Sequence, residues 1–160
     1  ILPPGNLARS VDITRPFGNW IRLMSIGLPS EFFHQLLTYA LVDDTHLLTK
    51  LMSVPLIVYT PKKVVTFDTD EAFQSLARKY RIILARKGAI RVETNIVEYT
   101  AASRNMESYL VEQHHLDKYG KSLGSELLRY YVRNTEGQPV VEMIEQLQDP
   151  FVFADCGEAC

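Results

Sequence analysis

Two spacings of apolar residues divide this chain. Between residues 30 and 88 they recur mostly every third or fourth position, and from residue 89 they recur every second one. PSEFFHQLLTYALVDD opens on Pro29-Ser30, with Ser30 a good N-cap, and sets Phe33, Leu36, Leu37, Ala40 and Leu41 on one helical face. Asp43 or Asp44 can end that helix and cap a second one, whose Leu47, Leu48, Leu51 and Met52 share a face. Pro55 forbids further helix. PLIVYT and KVVTF are β-rich runs separated by a bend or hairpin at Pro61-Lys62. DTDEAFQSLARKYRIILARKG predicts the longest helix. Asp68 and Glu71 have capping-box spacing, and Phe73, Leu76, Ala77, Tyr80, Ile83 and Leu84 form the stripe. Arg86, Lys87 and Gly88 supply a basic last turn and a C-cap.

The two-residue period then takes over. AIRVETNIVEYT puts Ile90, Val92, Thr94 and Ile96 on one side of a strand. NMESYLVEQHHLDKYG and SELLRYYVRNTEG follow as long strands with a turn near Gly120, and RNTEGQP is a hairpin loop before the last strand, VVEMIEQLQDPF. Long sequential strands with short loops predict an antiparallel meander, and helices gathered ahead of it predict an α+β fold with the helices on one face. Residues 1–29 mix prolines and glycines with apolar side chains and read as an extended N-terminal arm. Residues 30–150 read as one domain and 151–160 as a C-terminal tail.

Composition narrows the class. At 160 residues, 46% hydrophobic and 22% charged, the chain reads as one soluble globular domain. A net charge of −2 implies no basic face and argues against a nucleic-acid partner. No apolar run is long enough to span a bilayer, so no membrane association is expected. The two cysteines, Cys156 and Cys160 in CGEAC, are too few to close a zinc site and predict reduced thiols in an exposed tail, hence a cytoplasmic setting.

Three blocks carry a resemblance: ALVDDTHLLTKLMSVPLIVYT, AFQSLARKYRIILARKG and LRYYVRNTEGQPVVEMIEQLQDP. Over about residues 30–150 the chain resembles the cone-shaped α+β superfamily of nuclear-transport-factor-two-like proteins. That group includes ketosteroid isomerase, scytalone dehydratase and the SnoaL-like polyketide cyclases. The resemblance implies a strongly bent, mixed or antiparallel sheet of cystatin-like type, about three helices over its concave face, a pocket between them, and a homodimer. Set against the isomerase pattern, the base position falls on Thr60, which cannot take a proton at neutral pH. The helix tyrosine position falls near Leu36, with Tyr39 almost one turn away, and Glu126 occupies the position of the family's acid. The chain is therefore not expected to be a ketosteroid isomerase.

The residues themselves suggest where chemistry sits. Glu126 alternates with Leu128, Tyr130 and Val132, and a carboxylate enclosed beside them can act as acid or base. On a solvated strand it would instead pair with Arg129 or Lys121. Adjacent strand residues point to opposite faces, so His114 and His115 cannot chelate one ion, and at most one enters a hollow. The alternation leaves both phases open, and His114 is carried with Glu126 as the candidate catalytic pair. Tyr39, Tyr59, Tyr80, Tyr109 and Tyr130 are the candidate ligand-binding aromatics. GxGxxG, Walker A, GxSxG and HExxH motifs are absent, so no cofactor or metal is expected. The leading reading is a protein binding a small hydrophobic molecule, dimeric through an outer sheet face bearing Val97, Tyr99, Tyr109 and Val111. One alternative is a cofactor-independent acid–base enzyme of isomerase, cyclase or dehydratase type acting on a small hydrophobic or cyclic carbonyl compound. The other is a protein-interaction module using the arm and tail.

Overall fold

The computed structural model describes residues 9–10, 30–42, 45–103 and 105–148. The rest of the arm, Asp43-Asp44, and the tail with Cys156 and Cys160 lie outside the described residues. In chain order the elements are β1 (Arg9–Ser10), α1 (Ser30–Leu41), α2 (Thr45–Leu48), β2 (Met52–Tyr59), β3 (Val64–Phe67), α3 (Asp70–Lys87), β4 (Arg91–Ala101), β5 (Met106–Leu116), β6 (Ser122–Thr135) and β7 (Gln138–Gln146).

The alternating half of the chain folds as its period demands. β4 to β7 form an antiparallel meander, and β2 joins β7 in parallel, giving one mixed sheet ordered β1-β4-β5-β6-β7-β2-β3. The β6–β7 hairpin turns on Glu136 and Gly137, with φ of 54° and 78°. Positive φ at both central residues gives the strand twist a two-residue hairpin needs, and glycine adopts it without a Cβ clash.

Helix ends differ in detail from expectation. The α3 cap is Thr69, not Asp68: its side-chain oxygen accepts the Ala72 N–H at 3.2 Å, leaving Asp70 and Glu71 in the first turn to complement the helix dipole. Gly88 closes the helix at φ 77°, as predicted. The second helix is shorter than its apolar stripe, because Met52 already belongs to β2 and the Leu51 carbonyl accepts the Val141 N–H at 2.8 Å. Pairing with β7 overrides the helical spacing of Leu51 and Met52.

The helices cover one face of the sheet. Phe33 of α1 sits at the centre of the larger core, with ring centroids 5.3 Å from Tyr109 and 5.1 Å from Tyr130. A second cluster, Leu37, Tyr80, Leu84, Ala89 and Val92, packs α1 and α3 against β4.

The predicted outer apolar face needs correction. β4 carries a bulge between Ile96 and Glu98, which changes the phase of the strand beyond it. Tyr99 thereby pairs with Tyr109, ring to ring at 5.1 Å, on the covered side, while Val97 is left 47% exposed. Tyr109 and Val111 are core residues. The opposite face instead carries Leu110, Leu127, Tyr131 and Met143, laced by Arg129, which bonds Glu98 at 3.2 Å and lies 3.9 Å from Glu145.

Candidate functional site

Between α1, α3 and the sheet the side chains do not fill the space. A cavity of about 60 Å³ lies there and opens to solvent at its mouth. The walls are apolar: Leu36 and Ala40 of α1, Leu56 and Val58 of β2, Phe73 and Ala77 of α3, with others of the same kind. Three polar side chains interrupt them, Tyr80 on α3, Gln113 on β5 and Tyr130 on β6.

The ladder explains why these meet. Gln113 stands opposite Glu126 on β6 and opposite Thr94 on β4, and its amide donates to the Tyr130 hydroxyl at 2.5 Å. One inward position further along β5 is His115, which faces Gly124 across the ladder. No side chain occupies that place, so the imidazole reaches Glu126 diagonally, Nε2 to Oε2 at 3.0 Å. His115 is fully buried and Glu126 is 2% exposed. A buried carboxylate requires such a partner, since an isolated one would lose its hydration without compensation.

The electrostatics of this corner act on the tyrosines. Burial, and after it the neighbouring Glu126, holds the Tyr80 hydroxyl well above the usual tyrosine range. The same two causes raise Tyr130, partly opposed by its bond from Gln113. Both remain neutral phenols, able to donate a hydrogen bond, throughout the physiological range.

The candidate residues from the sequence distribute as follows. Glu126 is inside, on the same side as Leu128, Tyr130 and Val132. His114 is on the opposite face, its side chain 37% exposed and 3.2 Å from Glu112, whereas the neighbour His115 makes the inner pair. Tyr80 and Tyr130 line the cavity. Tyr109 and Tyr39 are buried in the core away from its lining, with Tyr39 accepting a bond from Gln35 at 2.6 Å. Tyr59 is 41% exposed and takes no part. Thr60, at the isomerase base position, donates to the Lys63 carbonyl at 2.8 Å in the β2–β3 turn. Sequence reasoning did not single out Gln113. The signal was the formal charge of its neighbour: Glu112 shares a side with His114, and a charged residue beside a second polar one marks the solvated phase of β5. Among the described residues no group of three or more His, Cys, Asp or Glu could hold a metal ion, and no helix is long and apolar enough to cross a membrane.

No protein-family model matches the chain, and no curated protein does. Solved structures do. A domain of unknown function with a cystatin-like fold from Nostoc punctiforme is similar at TM-score 0.56 and 13% identity, over 82% of this chain and 84% of that one. An NTF2-like protein with a cystatin-like fold from Novosphingobium aromaticivorans is similar at TM-score 0.54 and 14% identity, covering 73% and 77%. An NTF2-like protein of unknown function from Shewanella oneidensis is similar at TM-score 0.53 and 11% identity, covering 74% and 98%. Likeness at such identities establishes the fold, an NTF2-like, cystatin-like α+β architecture, and leaves the chemistry to the site.

Proposed function

We propose that this NTF2-like fold serves as a binding protein for a small, largely apolar molecule held between α1, α3 and the sheet. The observation that carries the reading is the cavity itself: apolar walls broken by Tyr80, Gln113 and Tyr130, the arrangement of a site that excludes water and orients its guest by a few polar groups. Glu126 and His115 sit behind Gln113 and Tyr130 rather than in the lining, so the geometry favours binding over direct proton transfer by that pair. A protein-interaction module would be expected to close this space with side chains.

Filling the cavity tests the reading. Ala77 lies in its wall on α3. A panel of small neutral cyclic compounds should include some that raise the melting temperature, since a ligand at a hundred times its Kd adds about 2.7 kcal/mol. Ala77→Met should abolish those shifts at a packing cost of about 1–3 kcal/mol. Shifts of undiminished size in the variant would place the ligand elsewhere.

The sheet face turned away from the helices supports a homodimer. Leu110, Leu127, Tyr131 and Met143 gather around Arg129, which stands opposite Leu110 on β5 and Glu145 on β7 and bonds Glu98, with the Arg133–Glu142 pair farther along. Tyrosine, methionine and arginine are residue types enriched at protein interfaces, and this face presents all three together. Sedimentation at micromolar concentration should show a dimer, and Leu127→Glu should yield a monomer. A wild-type monomer under those conditions would dispose of the proposal.

A further inference from the structure

The apolar cavity leaves open which group on a ligand it recognises, and the polar corner answers that. We infer that the Tyr130 hydroxyl is the ligand-reading donor, and that the ligand presents one neutral hydrogen-bond acceptor, a carbonyl oxygen above all, on a small apolar frame. The inference rests on the cavity reading above and narrows it.

The argument is a count of donors and acceptors. A phenol has one proton to give and an oxygen that accepts. Gln113 Nε2 donates to the Tyr130 oxygen at 2.5 Å, which uses the oxygen as acceptor and directs the phenolic proton away from the amide. Among the described residues that amide is the hydroxyl's one hydrogen-bond partner. Both side chains line the cavity and both are buried, Gln113 at 1% exposure, so bulk water does not take the proton. A buried donor without an acceptor is unfavourable, and apolar walls offer none. The guest must therefore bring the acceptor.

The sign of the guest's charge follows from the neighbours. Glu126 raises both Tyr80 and Tyr130, which means that its field opposes negative charge at both hydroxyls. A carboxylate or phosphate head group placed there meets the same repulsion, and the lining has no cation to offset it. A neutral acceptor meets none. Gln113 acts as a positioning residue: held between Thr94 and Glu126 in the ladder, it fixes the direction of the Tyr130 hydroxyl.

Matched probes separate this inference from the cavity reading. Cyclohexanone and methylenecyclohexane have nearly the same shape and differ in the acceptor. Calorimetric titration should show that Tyr130→Phe weakens cyclohexanone about tenfold, the order expected for one hydrogen bond in a dry site, while methylenecyclohexane changes by less than about twofold. Gln113→Leu should reduce the ketone's affinity in the same selective way. Cyclohexanecarboxylate should bind more weakly than the ketone at neutral pH. Equal losses for ketone and hydrocarbon in Tyr130→Phe, or none for either, would overturn the role of Tyr130 while the cavity reading stood. Failure of both neutral probes to bind the wild-type protein, with no other small neutral compound bound, would overturn the two together.

Discussion

Glu126→Ala should lower the free energy of unfolding by about 3–5 kcal/mol, the range for breaking a buried ionic or strongly hydrogen-bonded pair from one side. The carboxylate and the His115 ring are both removed from solvent and meet at 3.0 Å. Truncating the glutamate withdraws a partner from His115 at zero exposure and opens a void where water is not at hand. The double change Glu126→Leu with His115→Leu should recover most of that loss, because well-packed apolar groups of similar volume often replace a buried pair at little net cost. Urea denaturation of the wild type, the alanine variant and the double variant reads both quantities. A cost below about 1 kcal/mol for Glu126→Ala would mean that the pair contributes no more than a surface contact. Glu126→Gln keeps the shape and one acceptor, and should fall between the wild type and the alanine variant.

The same pair shows what the sequence discloses and what it withholds. Alternation within β6 groups Glu126 with Leu128, Tyr130 and Val132, and those four are buried together. Within one strand a period of two is enough, because a run of Leu, Tyr and Val on one side has one place to go. β5 is harder: Ser108, Leu110, Glu112 and His114 form one phase, Tyr109, Val111, Gln113 and His115 the other, and both mix apolar with polar. The choice is made across strands, by the register that sets Gln113 against Glu126 and His115 against Gly124. Register is a property of two chain segments and the turn between them, so it is not written in either segment alone. The β4 bulge is a second case. A period of two counted from Ile90 to Ile96 puts Val97 and Tyr99 on the opposite face on paper, yet one extra residue turns Tyr99 inward. The cavity was legible only as an expectation of the fold, since the empty space depends on how far α1 and α3 stand from the sheet.

High pH should unfold this protein through its two cavity tyrosines. Tyr80 and Tyr130 are raised above the unfolded-state value, foremost by burial and next by Glu126. Below pH about 10 both states carry the phenolic protons and the stability is unaffected. Above it the unfolded chain loses those protons while the folded protein retains them, so the folded state binds more protons and stability falls as pH rises. Each tyrosine contributes about 1.4 kcal/mol per pH unit, so the pair gives a slope of about 2.7 kcal/mol per unit. Tyr99 and Tyr131 are raised in the same direction, by burial first and then by Glu107 and Glu145 respectively, but they are only partly buried and add less. Of the eight tyrosines, two should therefore stay silent in a tyrosinate absorbance titration until the fold gives way. Tyr130→Phe should halve the slope, to about 1.4 kcal/mol per unit. A flat stability between pH 10 and 11, with every tyrosine titrating freely, would show that these hydroxyls are wet. In that case neither could hold a proton in reserve for a guest.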